Sequence, residues 1–348
     1  MTPRVLVSIV TYNSARYLKH CLESLQAQTW RDLVVCLWDN ASTDQSTAIA
    51  SEFGGLLSAL HTSDRNIGFC AAQNRIIAST PSAYVLVLNP DVVLEPSFLS
   101  ILVRTLDEDA VAGSATGKLW RWQEDVETGA AASLPQAGRI LDTTGMYLTP
   151  NQRHLDRGSG EPDRGQYEAR AYVFGASGAA ALYRRAMLEE VKDGGEYFDE
   201  AFFAFREDAD LAWRAQWLGW RCLYVPDASG FHARRVLPER RAALPAEINM
   251  HSFKNRFLLR IKNMDAATYA CFLLPITARD LGALGYVLSR EPSSLRALPL
   301  LCKALPRAWR LRKELQRRRR VTPREMRFWF SYQPVSIETA KCTKLTKE

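Results

Sequence analysis

The feature that most constrains this 348-residue chain is the regular alternation of strand-like and helix-like segments in its first hundred residues. Short aliphatic and β-branched runs are typical of strands buried on both faces, and a segment with helical apolar periodicity follows each of them. This order predicts an α/β fold with a mostly parallel, doubly wound sheet. The strand-like runs are residues 5–10, 33–38, 56–60 and 84–88, and the helix-like segments begin near residues 14, 43, 69 and 96.

The net charge of +7 divides unevenly along the chain. Up to His232 there are 20 Lys and Arg residues against 29 Asp and Glu residues, whereas from Ala233 onward there are 25 against 9. The second part also has helical periodicity, so we expect an acidic α/β body followed by a basic helical region. A hydrophobic fraction of 47% and a charged fraction of 24% exclude a disordered or collagenous chain.

Cysteine usage and hydropathy indicate the compartment. The seven cysteines are scattered without a CxxC pair, which favours free thiols in a reducing environment. The uncharged stretch 266–278 is too short for a transmembrane helix and ends at Arg279 and Asp280. The first residues lead directly into a strand-like run without the pattern of a secretory signal. The expected location is therefore the cytoplasm.

Polar residues follow three of the predicted strands, where doubly wound sheets bind their ligands. Asp39 can accept the imide N–H of a uracil or thymine ring, or it can simply form an Asx turn. Asp91 can hold a divalent cation against a diphosphate, because Mg²⁺ takes only one or two protein carboxylates. Asn-Pro-Asp is also good turn chemistry. The three segments are Thr11-Tyr12-Asn13, Asp39-Asn40-Ala41 and Asn89-Pro90-Asp91.

A group of carboxylates follows the aromatic run 202–205. One of them can be a general base whose pKa is raised by apolar neighbours, or Asp208 can cap a helix while Asp210 pairs with Arg214. Trp213 and Trp217 are predicted to pack in the core, and His232 alone indicates only a polar residue. HExxH, P-loop and GxGxxG motifs are absent from the sequence, which argues against zincins, Walker ATPases and dinucleotide enzymes.

Five motifs occur in one fixed order: residues 7–13, 38–44, 66–69, 88–91 and 203–211. Together they resemble the inverting family 2 glycosyltransferases with a GT-A fold, most closely the bacterial rhamnosyltransferase-like branch. The resemblance covers residues 4–265. It implies a Rossmann-like GT-A domain over residues 1–265, with a nucleotide-binding half to about 118 and an acceptor half from about 119. A helical basic region over 266–348 follows.

The resemblance also implies residue roles. Asp208 is the expected catalytic base, with Glu207 positioning the acceptor or the base. Asp91 and His232 are the expected ligands of Mg²⁺ or Mn²⁺, and Asn89 occupies the first acidic position of the family's DxD motif, as is common in the rhamnosyltransferase-like branch. Acceptor contacts are expected at Gly175, Gly178 and Arg256. Residues expected to bind the donor are Thr11, Tyr12, Asn13, Asp39, Arg65, Asn66, Gly68, Asn89 and Asp91.

The function implied is a metal-dependent inverting transfer of L-rhamnose from dTDP-rhamnose to a hydroxyl of a lipid-linked or polysaccharide acceptor in cell-surface glycan synthesis. A first alternative keeps the fold but uses a UDP-hexose or UDP-galactofuranose donor. A second is a non-catalytic nucleotide-sugar-binding protein. A third is a binding protein for membrane or nucleic acid that uses its basic C-terminal region.

Cations and apolar residues interleave over residues 301–313 and 317–320. This pattern is typical of helices that lie on anionic membrane surfaces, and it also suits a helix that packs on the rest of the protein. The pattern leaves both arrangements open, and the lipid-linked acceptor that the resemblance implies leads us to expect peripheral docking on the inner face of the membrane. No specific nucleic-acid partner is expected, because no recognised nucleic-acid fold accompanies the basic run.

Overall fold

The predicted alternation of strands and helices is present in the computed structural model, which describes residues 2–122, 138–234, 245–330 and 335–336. The first elements are β1 (Val5–Thr11), α1 (Ala15–Gln26), β2 (Leu33–Asp39), α2 (Ser46–Glu52), β3 (Leu57–Thr62), α3 (Phe69–Ser79), β4 (Tyr84–Leu88), β5 (Val92–Leu94) and α4 (Phe98–Glu108). Strands β3, β2, β1 and β4 lie side by side in this order and run parallel. The predicted parallel sheet is confirmed.

The second part of the sheet mixes strand directions. Its elements are β6 (Ala112–Arg121), β7 (Leu141–Thr143), β8 (Met146–Leu148), β9 (His154–Asp156), β10 (Ala171–Val173), β11 (Ala180–Arg184), α5 (Arg185–Val191), a 3₁₀ turn (Glu200–Phe202), α6 (Glu207–Trp217) and β12 (Arg221–His232). Beyond β4 the order is β11, β6, β12 and β10, while β8 and β9 form a separate hairpin. Part of the loop region expected between 120 and 170, residues 123–137, lies outside the described residues.

One helix prediction is wrong. The pattern over residues 179–191 predicts a helix, but only its second half is helical, because Ala180–Arg184 form strand β11. This strand pairs antiparallel with both β4 and β6 and is almost entirely buried in the middle of the sheet. Pairing on both sides outweighs the helix propensity of an alanine-rich segment.

Fully buried strands and the apolar faces of the helices form the core. Every residue of β1 and β4 is buried, and α1 buries the apolar positions that its sequence period predicts. Trp213 and Trp217 on α6 are also fully buried, and Trp217 Nε1 donates to the carbonyl of Asn263 at 2.8 Å. Both tryptophans therefore pack in the core, as predicted.

The basic region is helical in the part that the structure describes. It contains α7 (Ala246–Asn263), α8 (Ala266–Cys271), α9 (Leu273–Arg290), a 3₁₀ turn (Pro292–Arg296), α10 (Ala297–Arg318), α11 (Pro323–Phe328) and strand β13 (Val335–Ser336), which pairs with β10. Within the described ranges we find no helix with both the length and the hydropathy of a membrane span. The cysteines of these ranges are free thiols, and Cys342 lies outside them.

A buried ion cluster joins α6 to α7. Lys262 Nζ lies 2.9 Å from Asp193 Oδ2, 2.9 Å from Asp199 Oδ2 and 3.0 Å from Asp210 Oδ2. Arg214 Nε donates to Asp210 Oδ2 at 2.9 Å, which confirms the predicted pairing along the helix. Because all five side chains are buried, each cation compensates carboxylates that water cannot reach.

Helix α10 contributes to the same cluster. Arg307 on this helix forms ion pairs with Asp199 and, at 2.7 Å, with Glu196. Arg312 Nη1 donates to the carbonyl of Ile261 at 3.0 Å. The basic helix is therefore attached to the α/β body by some of its cations, which is one of the two arrangements predicted for it.

Candidate active site

The carboxyl ends of β1 and β2 place Thr11 and Asp39 side by side as register partners. The Asp39 side chain is buried, and its Oδ1 accepts a hydrogen bond from the backbone N–H of Ser42 at 2.9 Å, which forms the predicted Asx turn. Among the described residues, Asp39 Oδ2 and the Thr11 hydroxyl are also buried but have no hydrogen-bond partner. Such orphaned atoms are costly unless a ligand pairs with them.

The adjoining turns are held together by Asn13. Its Oδ1 accepts from the backbone N–H of Thr43 at 2.8 Å, and its own N–H donates to Ser42 Oγ at 2.9 Å. The backbone of Asn13 is left-handed, with φ of 50°. Tyr12 beside it is 49% exposed, so its ring lies at the rim of the pocket.

A second loop of the predicted donor site is fixed by two side-chain amides. Asn40 Nδ2 donates to Asn66 Oδ1 at 2.7 Å, and the same oxygen accepts from the N–H of Gly68 at 2.9 Å. Asn40 Oδ1 accepts from the N–H of Ile67 at 2.9 Å. Asn66 thus shapes the loop through internal bonds, whereas the side chain of Arg65 is exposed.

Asp91, His232 and Asp142 converge where β5 pairs with the end of β12. His232 Nε2 lies 3.4 Å from Asp91 Oδ1, and His232 Nδ1 lies 2.7 Å from Asp142 Oδ2. Arg234 Nε lies 3.3 Å from the other oxygen of Asp142. All but Arg234 are buried. Asn89 precedes this cluster and is half-buried, and its N–H donates to the carbonyl of Ala179 at 2.9 Å.

This cluster fits a divalent cation. Burial by itself lowers the pKa of His232, but the Asp91 and Asp142 carboxylates outweigh it and raise this pKa to about 10. A cation beside Asp91 would take the place of the proton on Nε2. Asp142 would then accept a hydrogen bond from Nδ1–H of His232, as a carboxylate usually does beside a metal-ligating histidine. No group of three or more His, Cys, Asp or Glu side chains suited to a metal is found in the described ranges. A cation here would therefore need oxygen ligands from phosphate and water.

Asp208 begins helix α6 together with Glu207. Asp208 Oδ2 accepts a hydrogen bond from the N–H of Gly178 at 3.0 Å, and Oδ1 lies 2.7 Å from the N–H of Ala209. Glu207 is buried, and within the described chain its Oε2 has no hydrogen-bond partner. The two carboxyl groups thus differ, because both oxygens of Asp208 accept from backbone N–H groups whereas one oxygen of Glu207 has no partner among the described residues.

The two carboxyl groups bind protons more tightly than free side chains do. Burial and then the charge of Asp208 raise the pKa of Glu207 to about 8. Burial also raises the pKa of Asp208, although the N–H of Gly178 opposes this shift. A proton on Glu207 at neutral pH removes a negative charge from beside Asp208, and the raised pKa of Asp208 gives its carboxylate a basicity suited to general-base catalysis.

The loop before these carboxylates has a strained backbone. Phe203, Phe205 and Arg206 have φ of 68°, 69° and 72°, a region that non-glycine residues rarely adopt. Asn255 on α7 holds the loop, because its Nδ2 donates to the carbonyls of Phe202 at 2.9 Å and of Ala204 and Phe205 at 2.8 Å each. Strain that is maintained in this way is characteristic of functional sites.

The strained loop also contacts the donor loop. A Cβ atom on Gly68, whose φ is +89°, would lie 2.6 Å from the ring of Phe203, so only glycine fits there. The other neighbour of the Phe203 ring is His251, stacked at 4.5 Å between ring centroids. The predicted donor and catalytic residues are therefore in direct contact through Gly68 and Phe203.

The three predicted acceptor residues lie in different surroundings. Gly178 is beside Asp208, and Arg256 is half-buried on α7, next to Asn255. Gly175 is buried, and a Cβ there would lie 2.4 Å from Cβ of Ala212. Gly178 and Arg256 are placed near the carboxylates or their loop, whereas Gly175 lies in a close packing contact with α6.

Sequence reasoning assigned no role to Asp142 or Asn255. Both stand outside the five motifs, and the role of each depends on a partner about 50 to 90 positions away. The one available signal was residue type, because a buried Asp or Asn must find polar partners.

Comparison with known proteins identifies the family. The profile of "Glycosyl transferase family 2" matches residues 6–192, more than half of the chain. This chain is a family 2 glycosyltransferase. A curated relative from Mycobacterium tuberculosis, "N-acetylglucosaminyl-diphospho-decaprenol L-rhamnosyltransferase", is 31% identical to this glycosyltransferase over 245 residues, which are 67% of this chain and 76% of the relative.

Solved structures show the same GT-A fold. S. aureus TarS 1-349 in complex with UDP-GlcNAc superposes on the glycosyltransferase with a TM-score of 0.52 at 18% identity, covering 94% of this chain and 90% of that one. GalNAc-T7 with UDP, GalNAc and Mn²⁺ gives a TM-score of 0.61 at 14% identity, covering 90% and 55%. The predicted family, fold and enzyme class are confirmed.

Proposed function

We propose that this glycosyltransferase transfers L-rhamnose from dTDP-rhamnose to a hydroxyl of a lipid-linked sugar acceptor with inversion at the anomeric carbon. The observation that carries the chemistry is Asp208, a buried carboxyl group with a raised pKa that accepts from the N–H of Gly178 at the start of α6. The relative from Mycobacterium tuberculosis supports the choice of sugar and acceptor, because its name gives both.

Asp208 removes the proton of the acceptor hydroxyl as the oxygen attacks the anomeric carbon from the face opposite the leaving nucleoside diphosphate. Glu207 holds a proton at neutral pH, so that it does not compete as the base. The N–H of Gly178 fixes the Asp208 carboxylate through Oδ2. Oδ1, which accepts from the N–H of Ala209, keeps a further lone pair that can take the proton of the acceptor hydroxyl.

Asp91 and His232 would hold Mg²⁺ or Mn²⁺, and Asp142 would orient the imidazole. When bound, the cation supplies positive charge to the departing diphosphate. Asp91→Ala should weaken binding of a nucleoside diphosphate in Mg²⁺ or Mn²⁺ but not in EDTA. Titration calorimetry in both buffers measures this. Equal weakening in the two buffers would contradict a role for Asp91 in metal binding.

A second donor class remains consistent with the pocket. The unpaired Oδ2 of Asp39 can accept the imide N–H of thymine or of uracil equally well. TarS, whose fold is similar, was solved with UDP-GlcNAc. A UDP-hexose or UDP-galactofuranose donor is therefore the alternative that the test must include.

The test is release of nucleoside diphosphate from a panel of nucleotide sugars, with and without a prenyl-diphosphate-linked N-acetylglucosamine. Mg²⁺, Mn²⁺ and EDTA are compared. We expect metal-dependent turnover of dTDP-rhamnose, and we expect it to be faster when the acceptor is present. Turnover of a UDP-sugar but not of dTDP-rhamnose would assign the UDP-sugar as the donor. No turnover of any donor with any acceptor would refute the proposed reaction.

We also propose that an anionic membrane covers helices α8 and α9. From residue 266 to 289 every exposed side chain is uncharged, including Leu274 at 81% and Leu281 at 64% exposure. Arg279 and Asp280 are half-buried and turn toward Gln152 and Arg260 instead. The uncharged surface therefore continues well beyond the stretch that the sequence suggested.

Helix α10 adds exposed cations beside this surface, among them Lys303 and Arg310, and a 55% exposed Trp309. Apolar side chains, interfacial tryptophan and cations together favour anionic lipid. Sedimentation with vesicles of anionic and of zwitterionic lipid tests this. We expect binding to the anionic vesicles, weakened by Leu274→Glu with Leu281→Glu. Equal sedimentation of this variant and the wild type would contradict it.

A further inference from the structure

Four arginines lie around the turn that precedes β9, and one of them, Arg206, is two residues before Asp208. They come from four separate segments of the chain: the turn between β8 and β9, the strained loop before α6, helix α7 and helix α9. We call them the arginine cluster. Its members are Arg153, Arg206, Arg256 and Arg279.

The contacts of the cluster centre on the β8–β9 turn. Arg206 Nη1 lies 3.1 Å from His154 Nδ1. Arg279 Nη1 donates to the carbonyls of Asn151 at 2.9 Å and Gln152 at 2.7 Å. These bonds bring helix α9 and the strained loop to the same turn, on either side of Arg153.

The electrostatics indicate an excess of positive charge. Burial and then the charges of Arg256 and Arg153 lower the pKa of Arg279 to about 9. Burial and then Arg206, Arg279 and Arg153 push the pKa of His154 well below its usual value, so the imidazole is neutral. The charge on Arg279 is thus destabilised by its cationic neighbours, and an anion bound among them would relieve this.

Two carboxylates around the cluster are engaged by other arginines, while Asp208 acts on Arg206. Asp280 Oδ2 lies 2.5 Å from Arg260 Nη2, although Asp280 also acts on Arg279. Asp156 forms an ion pair with Arg234. Because these two carboxylates are paired with Arg260 and Arg234, they neutralise less of the positive charge of the arginine cluster.

The position of the cluster joins two parts of the enzyme. Arg206 immediately precedes the carboxylates Glu207 and Asp208, and Arg279 lies on α9, whose outer surface is uncharged and exposed. An anionic group held here would therefore lie between the catalytic base and the surface proposed to face lipid.

We propose that the arginine cluster binds the phosphate or diphosphate through which the acceptor sugar is joined to its lipid carrier. Guanidinium groups suit this ligand because they donate charge-assisted, bidentate hydrogen bonds to phosphate oxygens. The inference rests on the proposed function, and it adds the recognition of the acceptor's charged linker. No bond is made or broken at the cluster.

The test compares two acceptors with the full-length enzyme and its donor: a prenyl-diphosphate-linked N-acetylglucosamine and an uncharged alkyl glycoside of the same sugar. The readout is the ratio of kcat/KM between them. Wild type should prefer the diphosphate acceptor, and Arg153→Gln with Arg256→Gln should reduce that preference roughly tenfold or more, since each lost charge-assisted bond weakens binding about tenfold. Arg104→Gln, an exposed change on α4, is the matched control and should keep the ratio.

Several outcomes overturn the proposal without touching the proposed function. One is an unchanged ratio in the double variant, which would mean that any loss of activity is structural. Another is loss of binding to anionic vesicles in this variant, which would assign the cluster to lipid headgroups. Intact nucleoside diphosphate binding shows in each case that the variant is folded.

If the enzyme uses neither acceptor, that result counts against the proposed function. A direct binding measurement then tests the arginine cluster. Calorimetric titration with inorganic pyrophosphate in EDTA probes the cluster alone. Binding to wild type that the double variant loses supports the site. No binding to wild type, or equal binding to both proteins, refutes it.

Discussion

The donor side (the loops after β1 and β2 and before α3) and the catalytic side (the strained loop and α6) are each fixed by polar contacts. The residues that make these contacts lie at different separations along the chain. The donor loops are fixed by short polar side chains such as Asn13 and Asn40, whose partners lie 27 to 30 positions away. The strained loop and the ion cluster on the catalytic side depend on Asn255, Lys262 and Arg307, which reach back 50 to 108 positions.

The difference separates two kinds of preorganisation. Hydrogen bonds between neighbouring turns preset the nucleotide pocket within the first part of the sheet. The catalytic carboxylates instead need helices that follow the sheet, because α7 supplies the bonds that hold the loop before them. Substitutions on the two sides should therefore affect different measured quantities.

The largest effect is expected for Asp208→Asn. Removing the base should lower kcat by about 10²–10⁴, the usual worth of general-base catalysis, while the amide oxygen can still accept from the N–H of Gly178. Binding of the nucleoside diphosphate, measured by calorimetry, should stay close to wild type. Retained turnover together with lost nucleotide binding would assign Asp208 to the donor side.

The next effect is on stability. Lys262→Met should lower the free energy of unfolding by about 3–5 kcal/mol, because it leaves three buried carboxylates without their shared cation. Lys19→Met is the control, since its exposed partner Glu23 lies 4.0 Å away and the change should stay within about 0.5 kcal/mol. Denaturant unfolding measures both. Equal effects would mean that the ion cluster does not stabilise the catalytic side.

On the donor side, Asp39→Asn should weaken nucleotide binding by about 1.5–3 kcal/mol, or roughly tenfold to a hundredfold in Kd. The reason is loss of the anionic acceptor for the imide N–H of the base. Calorimetry with UDP and CDP provides the control, because cytosine has no imide N–H. Wild type should prefer UDP, and the variant should lose that preference. A variant that still prefers UDP would place base recognition elsewhere.

The last effect concerns the pH dependence of stability. The pKa of Glu207 rises from 4.5 to about 8 on folding, first through burial, so the folded protein binds this proton more tightly than the unfolded chain does. Its contribution to the free energy of unfolding therefore falls as pH increases between these values. Glu207→Gln should remove that fall. Thermal unfolding of both proteins from pH 5 to 8 should show the variant gaining in relative Tm. A constant difference would contradict the raised pKa.

Much of the donor side could be predicted because its evidence is local. Continuous apolar runs predict β1, β2 and β4 nearly to the residue, Asp39 is the last residue of β2, and Asp91 lies in the short connection between β4 and β5. The prediction failed at Ala180–Arg184, where pairing with β4 and β6 decides the conformation. The partners of Asn255 and Arg279 could not be predicted either, since no sequence period reports contacts between distant segments.

The strained loop has a consequence for how the protein forms during synthesis. The loop of residues 202–206 leaves the ribosome about 50 residues before Asn255, the side chain that donates to the carbonyls of Phe202, Ala204 and Phe205. The parallel strands β1 to β4 can associate as soon as they emerge, because their contacts lie within the first part of the chain. A nascent chain can thus acquire its nucleotide pocket well before it can catalyse transfer, so an incomplete polypeptide stays inactive even when it binds the donor.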